Sequence, residues 1–234
     1  MKIGRRLRVY LIGVGMGLVA AYFILGTRSC EWLPGKRVKT FIIESQIKIS
    51  DFNMCRMECY GLNRTDIFNV LNSGSVSFSE SKTSGDQKEY IIEHEGLRVA
   101  FAVSMTDSIS EVVHFQNRSE KCVCDDRNKA DLSVLYEPND MVLEHLRENG
   151  FALISKNECQ FECVGIDSAY ASSVLQKGTV LNERSFPRRN PNPVYTIRLV
   201  KDIADTLFFV VEKGFKTRIL EISNSEGDPG CNCD

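Results

Sequence analysis

Residues 55–76 read CRMECYGLNRTDIFNVLNSGSV, and residues 159–180 read CQFECVGIDSAYASSVLQKGTV. The two stretches lie 104 positions apart and share cysteines, glycines, a Val-Leu pair and a final valine: Cys55/Cys159, Cys59/Cys163, Gly61/Gly165, Val70/Val174, Leu71/Leu175, Gly74/Gly178 and Val76/Val180. Self-similarity at a fixed spacing indicates an internal duplication. Each copy ends with a second cysteine pair, Cys122 and Cys124 in the first and Cys231 and Cys233 in the second. The chain therefore carries two related modules.

The composition suits an anchor followed by two small domains. The chain has 234 residues, of which 43% are hydrophobic and 26% are charged, and domains commonly span ~100–150 residues. A domain near the lower end of that range buries a modest core and benefits from a covalent or metal staple. The formal net charge of -2 gives no basic field of the kind that nucleic-acid-binding proteins usually carry. Nucleic acid is therefore disfavoured as a partner.

The beginning of the chain predicts a membrane anchor. Val9 to Leu25 is an uncharged, largely apolar run, and four basic residues precede it: Lys2, Arg5, Arg6 and Arg8. A helix of about 17 residues is at the short end of what spans a bilayer. A cleaved signal peptide is the alternative, but Arg28 stands where cleavage needs small neutral residues. We therefore expect a single-pass protein of the cell membrane whose C-terminal region is extracytoplasmic. Gly13 and Gly17 form a GxxxG spacing through which two such helices can dimerise.

These features divide the chain into five predicted segments. They are a cytoplasmic basic tip and transmembrane helix (1–29), a juxtamembrane linker (30–39), a first α+β repeat (40–125), a linker (126–138) and a second α+β repeat with a leading helix (139–234). Each repeat is expected to pack helices on a curved antiparallel sheet, with a strand before the cysteine helix, at 40–49 in the first copy. The later predicted strands are 75–81, 88–94, 97–105, 111–116, 179–185, 194–200, 206–212 and 217–223.

The repeated pattern resembles an uncharacterised bacterial family, the domain-of-unknown-function family 4258. The resemblance covers about residues 52–116 and 156–223, and it is carried by the Gly-Leu or Gly-Ile turn and the Val-Leu-x-x-Gly-x-Val ending of the second helix. That family is similar in fold to the RelE-type toxin nucleases, which implies an α+β unit. Family members often place a histidine on the opening helix, whereas this chain has Phe52, Asn53 and Met54 in that neighbourhood of the first copy and Asn157 and Glu158 in the second. This departure weakens any nuclease function that the resemblance would imply.

Four cysteines can converge in each repeat. Cys55 and Cys59, spaced i and i+4, share one helix face, and Cys122 and Cys124 point to one side if the chain is extended there. The second set is Cys159, Cys163, Cys231 and Cys233. In an oxidising compartment each set forms two disulfides, each closing a loop of ~60–70 residues and worth roughly 4 kcal/mol. In a reducing compartment the same four thiols form a structural zinc site. Because the spacing is not a standard zinc ribbon and the anchor indicates export, disulfides are favoured over zinc.

The sequence predicts no catalytic constellation. The three histidines fall on separate predicted elements: His94, His114 and His145. Neither copy has the C-x-x-C spacing of oxidoreductases. Tyr90 and Tyr195 occupy equivalent strand positions, where a core aromatic is the favoured interpretation. Arg188 and Arg189 can receive an anionic ligand, although a solvated pair is the simpler interpretation.

The leading hypothesis is a membrane-anchored, non-catalytic binding or assembly protein with two cysteine-stapled repeats and a protein partner. One alternative is a diverged ribonuclease-like enzyme whose activity would depend on His94 or Arg98. The other alternative is a zinc-stabilised sensor that faces the cytoplasm.

Overall fold

The computed structural model describes residues 10–17, 19, 33–104, 106–116, 122–124, 131–200, 206–224 and 233. The described chain forms two sheets with helices packed against them, one sheet in each repeat, so the predicted α+β class is confirmed. Buried apolar side chains form a separate cluster in each repeat. The largest of these side chains include Phe101, Ile49, Ile67 and Leu71 in the first cluster and Phe209, Leu146, Ile197 and Ile219 in the second.

The first repeat contains three helices and six strands in the described residues. They are α1 (Pro34–Glu44), β1 (Gln46–Ser50), α2 (Asp51–Cys59), α3 (Arg64–Ser73), β2 (Ser75–Val76), β3 (Gln87–His94), β4 (Leu97–Ser104), β5 (Ile109–Gln116) and β6 (Leu132–Val134). The strand order in the sheet is β2-β3-β4-β5-β1-β6. Helix α2 follows β1 directly because Ser50 caps it, accepting a hydrogen bond from the Asn53 amide.

The second repeat follows the same plan. It contains α4 (Asn139–Glu148), β7 (Phe151–Ala152), α5 (Ser155–Val164), α6 (Ser168–Lys177), β8 (Thr179–Val180), a 3₁₀ turn (Asn182–Arg184), β9 (Val194–Val200), β10 (Thr206–Lys213) and β11 (Thr217–Ser223). The strand order is β8-β9-β10-β11-β7, which matches the first sheet without a counterpart of β6 among the described residues. The two repeats therefore share their topology as well as the sequence pattern of their cysteine helices.

The sheets are mixed, which corrects the prediction of antiparallel sheets. Strand β1 runs parallel to β5, and β7 runs parallel to β11. Parallel neighbours need a long crossover connection. Here the two helices and three strands that follow β1 or β7 supply that connection, so the parallel pair joins the two ends of each repeat.

The start of the first repeat also differs from the prediction. Residues 34–39 were expected in a linker and residues 40–49 in a strand, but helix α1 runs to Glu44 and β1 begins at Gln46. The β-branched residues around Ile42 favour a strand locally. A helix forms instead, because the spacing of Val38, Phe41 and Ile42 places all three on one helix face, and that face packs into the first core. Helix α1 is the counterpart of α4.

Strands β2 and β8 are much shorter than predicted. After two residues, the hydroxyl group of a serine makes hydrogen bonds to backbone groups in place of further backbone pairing between the strands. Ser81 Oγ donates to the Ser77 carbonyl (2.6 Å) and accepts from the Ile91 amide (3.0 Å). Ser185 Oγ bonds the Leu181 carbonyl and the Thr196 amide in the same way, at 2.7 and 3.0 Å. Side-chain bonds to nearby backbone groups compete with regular strands.

Part of the segment predicted as a linker, 126–138, belongs to the first sheet. Strand β6 pairs antiparallel with β1, and Leu135, which follows it, is buried in the first core. Leu135 also donates its backbone N–H to the Ile47 carbonyl at 2.9 Å. The other residues of that segment before Asp131 lie outside the described residues.

Most of the predicted transmembrane run, Val9 to Leu25, lies outside the described residues. Residues 10–17 are helical, and a side chain added at Gly13 or Gly17 would meet nothing within 4 Å. Among the helices that the structure describes, none is long and apolar enough to cross a membrane.

Candidate functional site

The cysteines of the first repeat form two nested disulfides. Cys55 bonds Cys124 and Cys59 bonds Cys122, each with a Cα–Cα distance of 6.0 Å. The predicted convergence of the i, i+4 pair on α2 with the i, i+2 pair after β5 is confirmed in this repeat. The two bonds fix the last helical turns of α2 to the segment that leaves the sheet.

The second repeat uses the equivalent pairing. Cys159 on α5 bonds Cys233 with a Cα–Cα distance of 5.8 Å, and this pair corresponds to Cys55 and Cys124. Cys163 is also disulfide-bonded. Cys231, the remaining cysteine of the second set, lies outside the described residues, as does Cys30.

The zinc alternative requires free thiolates. In the part of the chain that the structure describes, no group of three or more His, Cys, Asp or Glu side chains is arranged to hold a metal ion. A cysteine sulfur that is bonded to another sulfur has no thiolate to give to zinc.

A buried asparagine attaches the same helix to the sheet. Asn53 is 5% exposed, and its Nδ2 donates to the carbonyls of Val112 (3.0 Å) and Val113 (2.7 Å) on β5. These carbonyls lie at a β-bulge, because Ala100 pairs with His114 while the next residue of β4 pairs with Val112. A bulge leaves an extra residue outside the ladder. The amide therefore supplies donors to buried carbonyls at an irregular point of the sheet.

The second repeat conserves this arrangement within the molecule. Asn157 is fully buried, and its Nδ2 donates to the Ile219 carbonyl of β11 at 3.2 Å and to Gln160 at 3.0 Å. The register between β10 and β11 shifts at the same place, since Val210 pairs with Glu221 and the next residue with Ile219. In the sequence, Asn53 and Asn157 stand out only because they lie near the place where the resembled family often has a histidine. Their 104-residue spacing was the signal for a shared structural role.

A cleft lies where the two repeats meet. Its volume is about 590 Å³, within the range of ligand sites in proteins. Both repeats and the segment between them line it, with Glu44, Phe68, Glu137, His145, Tyr195 and Lys213 among the lining residues. Side chains of both charge signs are therefore present in one concave site. No sequence pattern predicts this cleft, because the residues of its walls are distant along the chain.

The cleft contains a histidine–carboxylate pair. His145 Nδ1 lies 3.0 Å from Glu137 Oε1. The hydrogen bond to Glu137 raises the pKa of His145, while burial and the Lys213 charge oppose that shift. Burial, and secondarily the Glu137 charge, raises the pKa of Tyr195, which keeps its phenol protonated. The site combines a histidine–carboxylate hydrogen bond with a neutral hydroxyl.

The other residues singled out from the sequence do not converge with this pair. His114 lies near Glu89 (3.6 Å) on the first sheet. His94 is the last residue of β3 and is half-buried. Arg98 is 14% exposed and forms ion pairs with Glu80 and with Glu93 (3.3 Å).

Three of the predicted ligand-binding or core residues lie at the junction between the repeats. Arg188 lines the cleft, and Arg189 lies in a neighbouring surface depression that also includes Phe41 and Ser108. Tyr195 is buried at the cleft, whereas its counterpart Tyr90 packs edge-on against Phe78 in the first repeat.

Comparisons with known proteins found no match: no family model fits the chain, and no curated protein or solved structure is significantly similar to it.

Proposed function

We propose that this protein is a membrane-anchored, non-catalytic binding or assembly protein that displays two disulfide-stapled α+β repeats outside the cytoplasm. The partner in this proposal is another protein, and the bilayer holds the amino-terminal anchor. The proposed resemblance to the domain-of-unknown-function family 4258 concerns the fold of each repeat only.

The nested disulfides are the observation that carries the proposal. Disulfides persist in oxidising compartments and are rare in the cytosol. The three described bonds close separations of 69, 63 and 74 residues. In the chain-entropy model each such bond stabilises the fold by roughly 4 kcal/mol. Two bonds in the first repeat and the Cys159–Cys233 bond in the second make a rigid scaffold, which suits the display of a binding surface.

The distribution of titratable groups favours binding over the ribonuclease-like alternative. Among the described residues, His94, His114 and His145 lie on different elements, and His114 and His145 have different carboxylate neighbours. Arg98, the arginine that the enzyme alternative would use, is neutralised by two glutamates. A general acid and base must reach the same reacting atoms.

Reporter fusions test the orientation. A reporter that works only outside the cytoplasm, fused after Asp234, should be active, and a reporter that works only inside should be silent. The matched control is the same pair of fusions on a chain that lacks residues 9–25, in which the outside reporter should lose activity. Activity of the cytoplasmic reporter in the full chain would contradict the proposal and favour the zinc-stabilised sensor.

A ribonuclease assay tests the absence of catalysis. The purified full chain should leave single-stranded RNA intact. Cleavage that disappears in both His94→Ala and Arg98→Ala would overturn the non-catalytic proposal.

A further inference from the structure

The two repeats differ at one edge of their sheets. In the first repeat, β6 covers the outer edge of β1 with antiparallel pairs that include Ile49 with Ser133. In the second repeat, β7 is the last strand of its sheet, and no described strand pairs with its outer edge. An open strand edge presents unpaired backbone groups to any extended segment that reaches it.

Apolar side chains are exposed at the edge of β7, which no strand of the described residues covers. Ile49 of the first repeat is fully buried, whereas Leu153, 104 positions later, is 43% exposed. Ser50 is 2% exposed, and its counterpart Ile154 is an apolar residue that is 38% exposed. The second repeat thus carries the more apolar pair of side chains at the more exposed edge.

The backbone at this edge is oriented to accept a strand. The Gly150 carbonyl accepts the Thr217 amide of β11 at 2.9 Å, so it faces the sheet. Successive residues of a strand direct their hydrogen-bonding groups to opposite sides. The groups of Phe151 and Leu153 therefore face the open edge. In the first repeat the counterpart of Phe151, Ile47, accepts the Leu135 amide at 2.9 Å in this way.

We propose that the outer edge of β7 is a binding site for an extended segment of a partner protein, which adds to the sheet as an antiparallel strand. The first repeat indicates the chemistry of that segment: a short run such as Leu132-Ser133-Val134-Leu135, whose last leucine is buried between the sheet and its helices. Main-chain hydrogen bonds provide the affinity in this mode of recognition, and alternate side chains provide the specificity. The inference deepens the proposed function by naming the surface and the class of partner.

A labelled peptide with the sequence of residues 131–136, DLSVLY, is the probe. It should bind the full chain in detergent micelles saturably, as measured by fluorescence anisotropy, and should slow hydrogen exchange of the Leu153 amide. In the first repeat the amide of Leu135 points to the neighbouring strand and that of Val134 points away. N-methylation at the Leu135 position should therefore weaken binding about tenfold, as expected for a lost backbone hydrogen bond. N-methylation at the Val134 position is the matched control and should leave binding nearly unchanged.

A variant of the chain locates the site. Leu153→Asp places a charge at the edge without disturbing a buried side chain, and it should weaken peptide binding about tenfold because it opposes apolar contact and edge pairing. Val200→Asp, at another exposed apolar strand position, is the control and should bind normally. Protection at residues 46–50 in place of 151–155 would mean that the peptide displaces β6, and it would overturn the proposal.

Two further outcomes would also overturn the inference. If the chain does not bind the peptide and instead forms a dimer that Leu153→Asp dissociates, a second copy covers the edge. If neither peptide binding nor dimerisation occurs, the edge is not a docking surface. Both outcomes leave the reporter and ribonuclease tests of the proposed function untouched, so the two proposals fail separately.

Discussion

Asn53 donates hydrogen bonds to two backbone carbonyls and Asn157 donates one to a single backbone carbonyl, in both cases at a β-bulge. We predict that Asn53→Ala lowers the free energy of unfolding of the first repeat by about 1–3 kcal/mol, the cost of leaving buried polar groups unsatisfied. Asn157→Ala should do the same in the second repeat. Denaturant unfolding monitored by hydrogen exchange measures both. Glu58→Ala, at an exposed position of the same helix, is the control, and an equally large loss there would refute the assigned role.

The His145–Glu137 pair predicts a pH-dependent contribution to stability. The pKa of His145 is raised in the folded protein, so the contribution is fully present below the unfolded pKa of about 6.5 and is lost as pH rises through the folded pKa. The side chains are 32% and 23% exposed. Solvent screening therefore limits the contribution to about 1 kcal/mol or less.

The measurement compares Glu137→Gln with the native chain at two pH values. The variant should be less stable by up to about 1 kcal/mol near pH 5, and the difference should shrink as the pH is raised toward 9 and His145 loses its proton. Glu144→Gln, on the exposed face of α4, is the control. A difference that is the same at both pH values would mean that His145 protonation does not contribute.

The contact of α3 and of α6 with the neighbouring sheet depends on the glycine that follows each helix. A Cβ at Gly74 would lie 2.8 Å from Ile92 Cγ2 and 2.9 Å from the Glu93 carbonyl oxygen. A Cβ at Gly178 would collide with Ile197 and the Val174 carbonyl. We predict that Gly74→Ala and Gly178→Ala each lower the unfolding free energy by about 1–3 kcal/mol through overpacking. Gly35→Ala is the control, since its Cβ would meet only Val76 and Phe78 at ordinary contact distance.

Elements with a strong local signal were predictable from the sequence. The helices that carry Cys55 and Cys159, and the strands β3, β4, β9, β10 and β11, lie close to their predicted positions because capping residues and alternation are local properties. Helix α1 was missed because its β-branched residues outweighed its 3.6-residue spacing. Alignment of the two copies predicts α1 as a helix, since Pro34, Val38 and Glu44 recur as Pro138, Val142 and Glu148 in the region of α4.

The parts of the candidate site that the sequence did not predict depend on tertiary structure. Residues around Glu44, Glu137 and Tyr195 meet only because the two sheets and the segment between them pack together. The bulges at Val113 and Leu220 are register shifts, and no turn or breaker residue marks them in the sequence. The convergence of the cysteines was predictable because each set of four has spacings that suit a helix face and an extended strand.

The correspondence between the repeats predicts the remaining disulfide. Cys159–Cys233 corresponds to Cys55–Cys124, so Cys163, which is disulfide-bonded, should pair with Cys231 as Cys59 pairs with Cys122. In the double variant Cys159→Ser/Cys233→Ser, non-reducing peptide mapping should recover one linked pair that contains Cys163 and Cys231. A linked peptide between the two repeats would contradict the nested scheme. Free thiols with bound zinc in the native chain would instead support the metal alternative.

The same double variants measure how independently the two repeats fold. Each repeat has its own buried cluster, so loss of a disulfide should destabilise mainly the repeat that contains it. Cys159→Ser/Cys233→Ser should lower the unfolding free energy of the second repeat by about 2–5 kcal/mol, the usual cost for a native disulfide in a small domain. Hydrogen exchange at the amides of Phe101 and Phe209 reports on the two cores separately. Cys55→Ser/Cys124→Ser is the mirror control and should shift the loss to Phe101. If either variant weakens protection equally at both amides, the repeats unfold as one unit, and the contacts around the cleft then couple the two cores more strongly than their separate clusters indicate.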